Sequence, residues 1–402
     1  MESSQHVCVP QRYRAQRILD GEQWLNDALI SISEEGIIDA IERYDAHQHD
    51  DFIDLGGISL LPGMIDSHVH GAKGCDVMDA NHDSLNTMSR YFSSLGVTAF
   101  VATTVTAPVA KIRAALQQVA ISKRRGVEGA EILGAYLEGP YFTEKNRGAH
   151  PTNWFRNLSR EELDSWISYS DNQLIAVALA PEKAGALDAI RYLDKQGIKV
   201  MLGHTDASYE QIQQAMNAGA NGIVHCYNGM RGLHHRDPGV VGAGLVNSDS
   251  YVEMIADGHH VHPVAIDVAH RCCGSRMTLV TDAMSATGMP DGDYALGEYT
   301  VQVKQGVVTT DSGGLAGSTL TLLGAVKNIQ QWLNLPLEQA WLMASLTPAK
   351  SLGLSHQLGS LEVGKRASMV AIQSDFSIVK TWVNGRLVFE AESVPSQEAL
   401  CI

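Results

Sequence analysis

The sequence predicts an α/β fold: a (β/α)8 barrel accompanied by a small β domain that both termini build. Three observations carry this reading. Eight short apolar runs recur through the middle of the chain, amphipathic helical stretches separate them, and β-rich segments flank the whole. Continuous apolar runs alternating with helices are the signature of parallel strands buried on both faces. Eight such strands close a barrel of about 250 residues, and the 402 residues of the chain leave room for additions. An open doubly wound sheet is the runner-up, but no GxGxxG motif follows the first run.

Taken in order, residues 28–33 (ALISIS) and 36–42 (GIIDAIE) flank a Glu-Glu-Gly turn, and 56–63 leads into the barrel. The barrel runs are 64–68, 97–104, 132–139, 174–181, 199–205, 222–228, 252–258 and 277–283. Helices are expected at 83–96, 109–123 and 208–219; in the first, Leu85, Met88, Phe92 and Leu95 keep helical spacing. Ser159 to Glu162 reads as a capping box opening another helix. Near the C-terminus 358–372 and 378–389 alternate apolar and polar residues, with Asn384-Gly385 as a hairpin signal. The expected division is 1–62 and 355–402 for the two parts of the small β domain, with the barrel over 63–354.

Composition narrows the function. The chain has 30 basic and 45 acidic side chains, a formal charge of −15. That field repels phosphate backbones, so neither nucleic acid nor an anionic membrane is an expected partner. No run approaches the roughly 20 apolar residues of a membrane span. The first residues, MESSQHVCVPQRYRAQR, lack an apolar signal core, which points to the cytoplasm. Cys8, Cys75, Cys226, Cys272, Cys273 and Cys401 form no CxxC pair and read as reduced, mostly buried thiols.

In a barrel, chemistry sits at the C-terminal ends of strands. Run one ends in His68-Val69-His70, run three in Glu138, run five in His204, run six in His225, run seven in Asp257 and run eight in Asp282. Acids and imidazoles at so many apolar strand ends need partners, or they cost several kcal/mol in desolvation. A shared metal is the economical partner. Nitrogen and carboxylate ligands suit zinc, iron, nickel or manganese, and the lack of Cys argues for an open catalytic site over a closed structural one. The bland readings are an ion pair of Glu138 with Arg147 and a plain turn at Asp257-Gly258. Of the other histidines, only His260 and His150 are promoted. The glycine-rich 313–318 segment precedes a helix but lacks a P-loop lysine.

The segments 61–71 (LPGMIDSHVHG), 133–142 (LGAYLEGPYF), 147–151 (RGAHP), 200–208 (VMLGHTDAS), 225–239 (HCYNGMRGLHHRDPG), 255–263 (IADGHHVHP), 279–292 and 313–328 together resemble the N-acetylglucosamine-6-phosphate deacetylase family of the amidohydrolase superfamily. The wording of HCYNGM and IADGHHVHP is similar to the branch acting on the galacto epimer. The resemblance implies a metal-dependent (β/α)8 barrel with a β-sandwich from both termini. It implies deacetylation of N-acetylglucosamine 6-phosphate, with the galactosamine epimer as the alternative substrate. Glu138, His204 and His225 match the family's metal ligands. Some members have Gln in the first-strand motif and one metal; His68 and His70 are kept here, so a second metal bridged by Glu138 and touching Asp282 is implied. The metal would be zinc or iron, one or two per subunit. Asp282 matches the catalytic acid/base, and His260 a residue contacting the sugar or the acetyl carbonyl. Asn228, Gly229 and Arg236 match residues near the phosphate, while Ala149, His150, Leu315, Ala316 and Gly317 match other substrate contacts. Family members are commonly homodimers in which some residues reach the neighbouring site. Two rivals stand beside this reading: a cyclic amidase or deaminase, for which Lys183 could be a carboxylated bridge, and a barrel that only binds. A phosphorylated substrate fits an acidic protein if the positive potential is local to one pocket.

Overall fold

The computed structural model describes residues 11–392. Eight parallel strands make the barrel: Met64–Val69, Val97–Thr104, Glu131–Glu138, Leu174–Leu179, Lys199–Leu202, Gly222–Ile223, Tyr251–Ile255 and Met277–Val280, each paired with the next. The strands are buried on both faces, and alternation sorts their side chains into two sets. Ile65, Val101, Tyr136, Ala178 and Met201 form the inner cluster. Phe100, Leu137, Val177, Val200 and Leu202 face the surrounding helices. The sixth strand is only two residues long, because the chain leaves it early to build the loop that carries His225.

The last strand meets the first through a seam. The N–H groups of His70 and Gly71 both donate to the Ala283 carbonyl at 2.8 and 3.0 Å, and the Asp282 N–H donates to the His68 carbonyl at 3.0 Å. Deeper in the seam the Asp66 carboxylate accepts the Thr281 hydroxyl at 2.6 Å. Burial pushes the Asp66 carboxyl up to about 6 against the pull of the Thr281 hydrogen bonds. The sequence reading treated the run around Asp66 as apolar and passed over this seam residue.

Helices pack outside, and their starts follow the capping residues. Ser208 closes a full capping box with Gln211 at the start of Tyr209–Asn217. At Arg160–Tyr169 only half of the expected box forms: Ser159 Oγ accepts the Glu162 N–H at 3.2 Å. The Glu162 carboxylate turns away to accept the Tyr141 hydroxyl at 2.7 Å. After the last barrel strand the chain adds an unanticipated antiparallel sheet, Gly292–Leu296, Tyr299–Lys304 and Val307–Thr309. Its inner residues Val301, Val303 and Val308 pack on Val105, Met284 and Ala316 beside the barrel mouth.

The two ends of the described chain enter one mixed sheet that folds over a core of its own, as the expected sandwich does: the Tyr13 and Trp382 rings lie 5.0 Å apart although two strands stand between theirs. Its order is Arg386–Glu390, Ile378–Val383, Met369–Ile372, Ser59–Pro62, Gln11–Asp20, Gln23–Ile32 and Ile38–Arg43, with Ile53–Asp54 beside Gln11–Asp20. Asn384 and Gly385 form the turn between the last two strands, as read. Gln11–Asp20 falls in the β-rich first sixty residues, but its bounds are not legible there: Arg12, Arg14 and Arg17 mask its alternation, while Tyr13, Ala15 and Ile18 supply the buried side. Residues 358–368 are mostly turns, with isolated bridges from Leu361 to Asp20 and from Arg366 to Ile37, and Met369–Ile372 is the strand that follows. Cys226 and Cys273 are buried, Cys75 is half-buried and Cys272 exposed, all four free thiols; Cys8 and Cys401 lie outside the described residues. No described helix is long and apolar enough to cross a membrane.

Gly63 is the pivot between the terminal sheet and the barrel. Its N–H donates to the Ser368 carbonyl at 2.9 Å, and a Cβ placed on it would lie 2.1 Å from Thr98 Oγ1. Gly63→Ala should therefore lower stability by about 1–3 kcal/mol, the usual cost of overpacking. Truncation of the obstacle, Thr98→Ala, should recover part of that loss. Denaturant midpoints of the single and double variants check this; an undiminished midpoint in Gly63→Ala would show that the pivot tolerates a side chain.

Candidate active site

The strand-end acids and imidazoles meet at one point. Glu138, the last residue of its strand, is 3% exposed and faces five imidazoles. Its Oε1 lies 3.3 Å from Nε2 of both His204 and His225 and 3.5 Å from that of His68. Its Oε2 lies 3.3 Å from His70 Nε2 and 3.5 Å from His150 Nε2. Asp282 Oδ1 stands 3.1 Å from His70 and 3.7 Å from His68. The Arg147 pairing considered for Glu138 is not among its contacts.

Backbone geometry places these groups. His68, on the first strand, and His70, one residue past its end, both point inward, as a spacing of two along extended chain allows. His204, His225 and Asp282 each sit two residues beyond a strand end. All three have positive φ, 48, 25 and 49°. Such left-handed conformations cost roughly 1–3 kcal/mol each outside glycine and concentrate at functional sites. Gly229, at φ 59°, lets the following loop lie against His204: a Cβ there would be 2.8 Å from His204 Nδ1.

The outer nitrogens are all engaged. His70 Nδ1 contacts the Thr103 carbonyl at 3.1 Å, His204 Nδ1 that of Asn146 at 3.0 Å and His225 Nδ1 that of Asn228 at 3.1 Å. His68 Nδ1 contacts Glu253 Oε2 at 3.0 Å. Carbonyls only accept, so Nδ1 carries the proton and Nε2 points inward as a ligand atom. His204 and His225 bring their Nε2 atoms within 3.1 Å of each other. His68 Nε2 is buried with no hydrogen-bond partner among the described residues. Such nitrogens need a proton or a metal ion between them. Two groups have the makings of metal sites, His68/His70/Asp282 and Glu138/His204/His225, each with ligand atoms within 4.8 Å of one another. The donor set fits a divalent transition metal.

The electrostatics agree with a site that attracts cations. Burial alone would lower the His70 imidazole, but hydrogen bonds to Asp282 and Glu138 raise it to about 10. Burial would raise the Asp282 carboxyl, yet the His70 hydrogen bond and the charges of His68 and His70 hold it below the usual carboxylate range. His150 differs from the four inward ligands. Its Nδ1 takes the Thr106 hydroxyl at 2.9 Å and the Thr106 N–H at 3.4 Å. That leaves Nε2–H as a donor into the site, and burial, then His204, pushes this imidazole down to about 3.

A cavity of about 360 Å³ opens above the cluster. Its wall includes Ala149, His150, Asn228, Gly229, His260, Leu315, Ala316 and Gly317 together with His70, Glu138, His204, His225 and Asp282. His68 lies beneath, fully buried. Arg236 is the exception among the residues read as substrate contacts. It is exposed, its guanidinium reaches His235 at 2.8 Å, and it is absent from the wall. The physical reason is its loop: the mutual backbone hydrogen bonds of His234 and Asp237 close a tight turn that carries Arg236 outward. Lys183 is also outside the wall, donating to the Phe142 carbonyl at 3.3 Å, so it supplies no bridging carbamate.

One functional group is not legible at a run end in the sequence. Glu253, in the middle of the seventh strand, orients His68. Asp257, read as turn or function, does both: Oδ1 accepts the N–H groups of His259 and His260, and Oδ2 holds His260 Nδ1 at 2.6 Å. A single acid inside an otherwise apolar run was the available signal for Glu253.

Comparison with known proteins places this geometry. The chain is 75% identical to the N-acetylglucosamine-6-phosphate deacetylase of Vibrio furnissii over the full length of both chains. It is 50% identical to the N-acetylgalactosamine-6-phosphate deacetylase of Escherichia coli O157:H7, covering 93% of this chain and 98% of that one. A mutant N-acetyl-D-glucosamine-6-phosphate deacetylase of Mycobacterium smegmatis, solved with N-acetyl-D-glucosamine-6-phosphate, superposes with a TM-score of 0.89 at 31% identity, covering 94% and 99% of the two chains. The Thermotoga maritima N-acetylglucosamine-6-phosphate deacetylase gives 0.86 at 31% identity over 95% and 100%. The profile of the amidohydrolase family matches residues 59–388, and with it the chain belongs to the amidohydrolase family.

Proposed function

We propose that this protein hydrolyses the acetamide of N-acetylglucosamine 6-phosphate to acetate and glucosamine 6-phosphate, using a divalent metal. The observation that carries the reading is the cluster of Glu138, four inward Nε2 atoms and Asp282 at the floor of the cavity. The full-length identity to a glucosamine-type deacetylase favours the gluco epimer over the galacto one.

Glu138, His204 and His225 would hold one cation, and His68, His70 and Asp282 would hold a second beside it; zinc and iron both suit these donors. A cation so held supplies Lewis acidity, polarising the acetyl carbonyl and acidifying water. Asp282, kept ionised by its histidine neighbours, takes the proton from the attacking water. It then returns that proton to the sugar nitrogen as the C–N bond breaks. His260, fixed by Asp257, donates to the carbonyl oxygen as negative charge develops there. His150 Nε2–H and the backbone of 315–317 orient the sugar, and Asn228 with Gly229 faces the phosphate end.

Arg236 reaches no part of its own cavity. Leu233, Val246, Val264 and Val268 are exposed by 45 to 65%, all on the loop of Arg236 or on the helices Gly239–Val246 and Pro263–Cys273. Exposed apolar surface of this kind suits a subunit contact. The reading is a homodimer in which Arg236 clamps the phosphate in the neighbouring subunit. A cytoplasmic setting accompanies a charged phosphosugar, which does not cross bilayers unaided.

Acetate release should be faster on N-acetylglucosamine 6-phosphate than on its galacto epimer in side-by-side kinetics; the reverse order would assign the galacto substrate. Asp282→Asn should reduce kcat by about 10²–10⁴, and near-normal turnover would remove the acid/base role. Arg236→Ala should raise KM for the phosphosugar with little change in kcat. Mixing it with the Asp282→Asn variant should restore phosphosugar turnover, since a mixed dimer has one complete site. Absence of complementation in a demonstrated mixed dimer would return Arg236 to its own subunit.

A further inference from the structure

The buried carboxylate of Glu253 has no role in the chemistry above. It lies inside the barrel wall, 3% exposed, on the strand Tyr251–Ile255. A buried carboxylate without partners is untenable, so its contacts say what it is for. There are two from its side chain, both through Oε2: His68 Nδ1 at 3.0 Å and the His225 N–H at 3.3 Å. Its own backbone carbonyl accepts the Cys226 N–H at 2.8 Å. One residue thus ties together a histidine from each of the two ligand groups.

The two ties are unequal. His225 is held at Nδ1 by the Asn228 carbonyl, as His70 and His204 are held by carbonyls. Glu253 adds only a backbone restraint there. At His68 the carboxylate is the sole Nδ1 partner among the described residues, and it fixes which nitrogen carries the proton. The free Nε2 then stands 3.7 Å from Asp282 Oδ1 and 3.5 Å from Glu138 Oε1, without a hydrogen-bond partner among the described residues. A carboxylate behind an imidazole also makes it a stronger donor than a carbonyl does.

We propose that Glu253 is a positioning residue that makes the His68/His70/Asp282 group a metal site, so that its carboxylate sets whether the enzyme holds a second cation. This rests on the two-cation reading of the site. The loss of Glu253 should be felt at the second cation and much less at the first.

The test uses full-length protein stripped by chelation and titrated with zinc alone, with stoichiometry from elemental analysis and affinities from competition with a chromophoric chelator. Wild type should take up two equivalents. Glu253→Gln, which keeps an acceptor for Nδ1–H but removes the charge, should weaken the second equivalent about 10–100-fold and leave the first nearly unchanged. His68→Gln should abolish the second equivalent, and adding Glu253→Gln to it should cause no further change in zinc binding, as coupling through one contact requires. If Glu253→Gln unfolds the protein, Glu253→Asp offers the same charge at shorter reach and should give an intermediate second affinity. Two equivalents with unaltered affinities in Glu253→Gln, or equal weakening of both, would overturn the positioning role alone. A wild type that takes up fewer than two equivalents would overturn the two-cation reading and this inference with it.

Discussion

Glu138 is a carboxylate cut off from water and enclosed by imidazoles. An anion in that position is stable only if its neighbours supply positive charge and keep supplying it as the site works. That demand explains the surroundings. Three backbone carbonyls and one carboxylate hold the outer nitrogens of His68, His70, His204 and His225 so that the inner nitrogens converge. His204, His225 and Asp282, which follow strand ends, accept unfavourable backbone conformations to get there. Gly229 lets a loop lie against the His204 ring. The barrel provides a rigid ring of strand ends, and the cluster uses five of the eight.

The same demand reconciles the overall charge with an anionic substrate. The protein is acidic, yet at the barrel floor the carboxylates are outnumbered by nitrogens that call for protons or metal. Positive potential is thereby confined to a cavity of small-molecule size. The inserted sheet over residues 292–309 packs its apolar side beside that cavity, which shields it on one flank. The seam between the first and last strands brings Asp282 beside His68 and His70, so closure of the barrel and the meeting of these three side chains are one event.

Much of this was legible in the sequence because acids and histidines interrupt apolar runs at a regular place. His68, His70, Glu138, His204, His225 and Asp282 could be found from position alone, since an apolar strand has no other reason to end in a charged ligand. Residues that act from within a strand were harder. Asp66 and Glu253 sit inside apolar runs, and a search confined to run ends passes them by. Their role depends on which neighbour the barrel's curvature places opposite, and that is a long-range property. Arg236 shows the converse limit. Its kinship was readable from its motif, but the direction of its loop was not, because a turn between His234 and Asp237 decides it. The bounds of Gln11–Asp20 were hidden by arginines that line the exposed side of a strand.

The terminal sheet bears on how the chain comes to be folded. Ser59–Pro62 lies between Gln11–Asp20 and Met369–Ile372, so one of its two neighbours emerges from the ribosome only after the whole barrel has been made. Until then the amino-terminal strands present an unpaired edge, a template for adhesion to other nascent chains. Pairing across so much sequence is also slow, because loop closure precedes any reward from contacts. The barrel must form while one border of its companion sheet is still open. A chain released short of Met369–Ile372 would keep the histidine and carboxylate cluster and yet carry a sticky margin. Quality control in the cell would therefore act on this protein through its terminal layer, far from the chemistry it performs.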